Sequence, residues 1–317
     1  MYEDIYHVPV LLNETIDLLI NENLDRQIIV DGTLGGGGYS ELICKRFNEL
    51  NSKDNLLICF DKDEHAISFA SNRLKIYSEK IIIEKGNFAD MRLALKKHNI
   101  PSVTGIVLDL GLSSYQLENE DGFSFMRNTT LDMRADKEKT LTAKDILNSY
   151  SAEELSVIFE QFGEIGNPDR LSESIALYRK ISPFKTTEDL THLIDAKYKI
   201  DKKNKMNFLA KIFQALRIEV NGELEDLKSI LSDSKDLLQR GGRIAVITYH
   251  SLEDRIVKLY FKEKSFKEKK SKYSIDKNDL INPEFKLVNK KVITPSYKEI
   301  SENPRSRSAK LRVAEKL

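Results

Sequence analysis

The chain has 317 residues, and its 50 Lys and Arg balance 50 Asp and Glu, so the formal net charge is zero. At about 150 residues per domain, that length predicts two domains or one large α/β domain with an insertion. A charged fraction of 32% means much solvated surface, while 2 Cys and 14 Gly exclude a disulfide scaffold and a collagen-like repeat.

The N-terminus, Met1-Tyr2-Glu3-Asp4-Ile5-Tyr6, lacks the basic-then-apolar pattern of a secretory leader, and no run approaches the ~18 apolar residues of a membrane span. A cytoplasmic protein with no membrane association is expected. Four short apolar runs, Ile28–Asp31, Leu56–Asp61, 80–84 and Val103–Asp109, read as buried strands, with helices at 38–50, 64–77 and 89–98 between them. Continuous apolar strands alternating with helices predict a parallel sheet covered on both faces. Cys44 and Cys59 read as small core residues, and the scattered histidines predict no metal site.

From 113 to 215 no strand signal is strong, and helical periodicity marks 151–162, 169–181, 186–195 and 206–220. A helix at 223–239 leads into Gly241-Gly242, a stop signal, and a fifth strand follows at 243–249. Residues 262–291 read as a mobile, lysine-rich loop before a last strand near 285–293, and the C-terminal stretch carries Arg305, Arg307, Lys310 and Arg312. Arg–Ser alternation there suits phosphate contacts. These features predict discontinuous domains: 1–112 with 216–300 as the sheet domain, 113–215 as a helical insertion, and 301–317 as a basic tail.

The strongest local signal is Asp31-Gly32-Thr33-Leu34-Gly35-Gly36-Gly37-Gly38-Tyr39-Ser40, between strand one and a helix. Glycines let backbone amides approach a ligand, and a helix start attracts anionic or polar groups. Asp61 ends strand two, where a carboxylate can accept hydrogen bonds from a ribose diol. The dinucleotide fingerprint needs Gly or Ala where Ser40 stands, and no P-loop lysine follows the glycines. The spacing of Asp31, Thr33, Gly35 and Gly37 resembles the cofactor loop of S-adenosylmethionine-dependent methyltransferases.

Strand four runs into Asp109-Leu110-Gly111-Leu112-Ser113-Ser114-Tyr115-Gln116, which should face the same crevice. Phe123 and Phe125 read either as insertion core or as a platform for a base, and Asp132 and Arg134 as a possible ion pair. After strand five, Ser251 with Asp254 fits a helix cap, and His250 stands at a strand end facing the crevice. A nicotinamide-dependent dehydrogenase and a non-catalytic RNA-binding module are the competing readings.

Residues 31–40 and 109–117, Gly122-Phe123-Ser124-Phe125, Leu131-Asp132-Met133-Arg134, 213–221, 250–258 and 305–312 together resemble the bacterial ribosomal small-subunit RNA (cytosine-N4)-methyltransferase H family, also called MraW. The resemblance spans nearly the whole chain. It implies a class I methyltransferase: a Rossmann-like, doubly wound, mostly parallel α/β sheet with a helical insertion that recognises substrate. It also implies S-adenosylmethionine as cofactor and 16S rRNA of the small subunit as partner. The implied target is N4 of a cytidine, by family habit position 1402 in the decoding centre, and a homodimer stays open.

Carried over by position, cofactor contacts fall on Gly37, Gly38, Tyr39, Asp61, Phe88, Asp109 and Gln116, alongside Asp31 and Gly35 from the loop itself. Tyr39 replaces the family's usual His and Tyr115 its usual Pro. Because the cytosine amine's lone pair is delocalised into the ring, the site must hold the base against the methyl and accept the amine's hydrogen bonds. The candidate catalytic residues are Asp109, Ser113, Ser114 and His250. Phe123, Phe125, Arg134, Arg305 and Arg307 are expected to contact RNA.

Overall fold

The computed structural model describes residues 8–50, 52, 54–112, 114–266, 268–269 and 280–317. The chain divides into two units: Met1–Gly111 with Glu225–Leu317, and Leu112–Leu224.

In the first unit, α1 (Leu12–Leu19) precedes β1 (Ile28–Asp31), α2 (Gly38–Glu49), β2 (Leu56–Asp61), α3 (Glu64–Arg73), β3 (Ile81–Lys85), α4 (Met91–Lys97) and β4 (Val103–Asp109). The chain returns through α11 (Glu223–Leu237) into β5 (Leu238–Thr248) and α12 (Ser251–Ser265). After a two-residue ribbon of β6 (Glu268–Lys269) and β7 (Leu280–Ile281) come β8 (Phe285–Leu287), α13 (Tyr297–Glu302) and β9 (Lys310–Lys316).

The seven-stranded sheet has the order β3-β2-β1-β4-β5-β9-β8. Strands β1 to β5 pair in parallel, while β9 runs antiparallel between β5 and β8. The order reverses between β1 and β4, so the crevice of a doubly wound sheet opens at their carboxyl ends. Alternate residues serve opposite faces. Ile29, Leu57, Cys59, Val107 and Ile247 join one core, and Val30, Ile58, Phe60, Leu108 and Val246 the other. Both cysteines are buried and free.

The second unit holds α5 (Ser114–Asn119), α6 (Ala143–Ser149), α7 (Ala152–Gln161), α8 (Asp169–Tyr178), α9 (Thr187–Lys197) and α10 (Lys202–Asn221) around a core of its own. Thr142 with Asp145, Ser151 with Glu154 and Thr186 with Asp189 form capping boxes at α6, α7 and α9. Each such cap is worth ~1 kcal/mol, so these three helices start where their sequence specifies.

Several expectations need correction. The boundary expected at 216 falls inside α10, because Leu216, Ile218 and Val220 continue its buried face. Residues 301–317 are not a tail: β9 lies inside the sheet with Leu311, Val313 and Ala314 buried. Its cations are neutralised locally, Lys310 and Arg312 by Asp254 at 3.1 and 2.8 Å. The helix expected to reach 239 ends at Leu237, and Gly241 (φ +81°) turns the chain within β5. Of the loop expected over 262–291, residues 267 and 270–279 lie outside the described residues, while α12 continues to Ser265 and β8 opens at Phe285. No described helix is long and apolar enough to cross a membrane.

Candidate active site

The turn after β1 is built from its glycines. Gly35 (φ +48°) and Gly37 (φ +75°) occupy left-handed backbone that other residues rarely adopt. Gly38 has a different reason: a Cβ there would meet the Pro9 ring at 2.6 Å. A Cβ on Gly35, by contrast, would find nothing closer than the Thr33 carbonyl at 3.9 Å, so this is the open point of the turn.

Hydrogen bonds narrow the set of amides that can reach a ligand. The Gly35 amide donates to Asp61 Oδ2 at 2.8 Å and the Gly37 amide to the Leu34 carbonyl at 2.8 Å. The amides of Gly38 and Tyr39, in the first turn of α2, have no intrahelical acceptor. The Tyr39 side chain faces away: it is buried, and its hydroxyl donates to the Val10 carbonyl. Its substitution for histidine is therefore absorbed by packing.

Asp31 is fully buried, and its two oxygens accept from the Thr33 amide and the Ser40 hydroxyl at 3.2 and 2.7 Å. Burial raises its pKa to about 6. This carboxyl braces the turn from inside; it is spent on the protein, which corrects its expected role as a direct cofactor ligand.

Asp61 closes β2 with Oδ2 on Gly35 and Oδ1 on the Asp63 amide at 2.9 Å. Burial raises its pKa, and these amides oppose the rise. Each oxygen keeps a second lone pair for a hydroxyl donor. Phe88 opens a one-turn 3₁₀ segment, Phe88–Asp90, and its Cβ lies 3.1 Å from where a Gly32 side chain would begin.

Asp109 ends β4 at the crevice. Its amide donates to Thr33 Oγ1 at 2.7 Å, fastening strand four to the turn after strand one. Its Oδ1 is buried without a hydrogen-bond partner, and so is the hydroxyl of Tyr249. Tyr249 lies against this loop, since a Cβ on Gly111 would meet its ring at 2.6 Å. Burial raises the Asp109 pKa to about 7, with Asp31 adding to the rise and the nearby Tyr249 hydroxyl opposing it. A buried carboxylate oxygen without a donor is costly unless a ligand supplies one.

His250 stands where β5 gives way to α12. It caps α12, with Nδ1 3.5 Å from the Glu253 amide and Nε2 3.0 Å from Glu253 Oε1, while Glu253 Oε2 accepts the Tyr249 and His250 amides. The cap thus falls one residue before Ser251, while the buried His250 Nε2 is left without a hydrogen-bond partner. Ser113 lies outside the described residues, and Ser114 opens α5.

In the second unit, Gln116 lies on α5. Phe123 is buried and Phe125 packs edge-on to Phe213 with centroids 5.3 Å apart. Phe125 is only partly buried and packs against that unit's core. Arg134 chelates Asp132 at 2.7 and 3.0 Å and donates to the Lys139 and Lys137 carbonyls at 2.6 and 3.2 Å. Its donors bind its own loop, so a direct RNA contact is likewise corrected to a structural one. Arg305 and Arg307 are exposed, on the turn before β9. Tyr249, and the cluster of Lys62, Asn87 and Asp226, escaped sequence reasoning because only tertiary contacts assemble them.

The family model described as the MraW methylase family matches residues 4–317. The chain belongs to this family. MraW proteins are S-adenosylmethionine-dependent rRNA methyltransferases. Ribosomal RNA small subunit methyltransferase H of Finegoldia magna is 42% identical across 98% of both chains, and its namesake from Chloroherpeton thalassium 40% across 99% of both. A solved rRNA methylase from Streptococcus thermophilus covers 98% of both chains at 12% identity, with a TM-score of 0.42. In this MraW protein the donor set suits the cofactor: paired lone pairs on Asp61 for a diol, an unpartnered Asp109 oxygen for a cationic head group, and unpaired amides at the start of α2.

Proposed function

We propose that this enzyme transfers a methyl group from S-adenosylmethionine to N4 of one cytidine of 16S rRNA in the small ribosomal subunit, position 1402 in the family's usual target, and that it works in the cytoplasm. The observation carrying this reading is the partnerless Asp109 oxygen at the crevice of a family methyltransferase.

When bound, the cofactor supplies an activated methyl on a sulfonium. The chain's own residues do the rest. Asp61 would accept the ribose hydroxyls, Phe88 would flank the adenine, the Gly38 and Tyr39 amides would hold polar groups of the amino-acid end, and Asp109 Oδ1 would receive its ammonium or the cytosine amine. Gly35 and Gly37 contribute bare, left-handed backbone that lets the ligand approach. With the cofactor bound, the crevice residues would hold the cytosine amine with its lone pair toward the donated methyl, and the amine proton would pass to solvent water. Ser113 and Ser114, which follow Asp109 in the sequence, are the candidate acceptors of the amine's hydrogen bonds that direct its lone pair.

The helical unit serves as the RNA-recognition part, and Arg305 and Arg307 add sequence-independent phosphate contacts. Methyl transfer to unmodified small subunits by the wild type, with an Asp109→Ala variant that loses both cofactor affinity and turnover, tests this reading. Normal binding and turnover in that variant would overturn the role of Asp109.

A further inference from the structure

At the rim of the same crevice, one carboxylate ties together three separate chain segments. Asp226 Oδ2, near the start of α11, accepts from Lys62 Nζ at 2.9 Å and from Asn87 Nδ2 at 2.7 Å. Lys62 follows Asp61 directly, and its ammonium stands 5.7 Å from the centre of the Phe88 ring. Asn87 precedes Phe88, and its Oδ1 caps the Phe88 turn by accepting the Ala89 amide at 3.1 Å. The Gly86 amide donates to the Asp61 carbonyl at 2.8 Å, which closes the same group of residues.

We propose that Asp226 is a positioning residue for the adenosyl end of the methyl donor, acting through Lys62 and Asn87 on Asp61 and Phe88. The inference rests on the functional reading above. Asp226 and Lys62 side chains are each only 19% exposed, so the pair is shielded from the screening that makes surface ion pairs nearly worthless. Asp226 also settles which way the Asn87 amide points: its NH2 donates to Asp226 and its oxygen stays on the Phe88 turn. Without Asp226 the Lys62 ammonium loses its counter-ion next to Asp61, whose carboxylate must stay available for hydroxyls, and the ring-facing ammonium is no longer anchored.

Calorimetry with S-adenosylhomocysteine on the full chain tests this, comparing wild type, Asp226→Ala and Lys62→Met. About a fivefold or greater weakening is expected in Asp226→Ala, the size of one charge-assisted contact. Lys62→Met should shift in the same direction, and the double variant should be no worse than Asp226→Ala alone. In turnover the KM for S-adenosylmethionine should rise while kcat and the KM for small subunits stay within about twofold. Asp226→Asn is read the same way should Asp226→Ala fail to fold. Affinity within twofold of wild type, or equal losses in kcat and in the KM for RNA, would overturn the assignment. A wild type that binds no S-adenosylhomocysteine would instead overturn the underlying functional reading, and this assignment with it.

Discussion

The Gly35 amide donates to Asp61 Oδ2 at 2.8 Å, so the tip of the turn after β1 is held by the carboxylate that ends β2. Turn shape and the diol acceptor are therefore one unit. Gly35→Ala places a Cβ on left-handed backbone, which costs about 1–2 kcal/mol. Although the space above Gly35 is open, that strain should displace the Asp61 bond. A lowered thermal midpoint together with weakened S-adenosylhomocysteine binding is expected, and unchanged affinity would separate the turn from the site.

Burial holds Asp109 near pKa 7 and Asp31 near 6, both above the ordinary 3.8. Between those limits the folded chain binds more protons than the unfolded one, so stability conferred by the protonated carboxyls is full below about 3.8 and is lost as pH rises through 7. Asp109→Asn removes one of the two titrations. The thermal midpoint of wild type relative to this variant should fall between about pH 4 and 7; a constant difference would contradict the buried state of Asp109. Because a cationic ligand favours the ionised carboxylate, wild-type affinity for S-adenosylmethionine should rise over the same interval.

Gly111 is required by the aromatic ring beside it. A Cβ would lie 2.6 Å from the ring of Tyr249, which is half-buried and packed against the core. Gly111→Ala should destabilise by about 1–3 kcal/mol, and Gly111→Ala/Tyr249→Leu should recover part of that loss. Strict additivity in denaturant titrations would show that the two do not meet.

The arginines fall into two groups. Arg305→Ala/Arg307→Ala should flatten the salt dependence of RNA binding by about 1.4 in log–log slope, at about 0.7 per phosphate contact, with S-adenosylhomocysteine affinity intact. Arg134→Ala removes four donors from its own loop. It should lower the thermal midpoint and leave the salt slope unchanged. The reverse pattern would assign the RNA contacts to Arg134.

Strands β1 to β4 were legible because parallel strands buried on both faces are written as unbroken apolar runs. β9 was not, since Lys310, Arg312, Glu315 and Lys316 punctuate it. Glu315 takes Arg243 at 2.9 Å across the β5 pairing and Lys286 at 2.8 Å, contacts that no local pattern announces. The site shows the same division. Asp61 and Asp109 stand at strand ends and Gly35 on the turn after one, where the topology places ligands, and they could be picked by position. Asp31, Tyr39 and His250 are drawn inward by Ser40, Val10 and Glu253, and the link between Asp226 and Lys62 spans 164 positions.

Transfer of labelled methyl from S-adenosylmethionine to unmodified small subunits, followed by mass-spectrometric mapping of the RNA, tests the central claim most directly. A single N4-methylcytidine is the expected product, absent with Asp109→Ala. Label on a ring carbon, on another base, or nowhere at all despite measurable cofactor binding would contradict it.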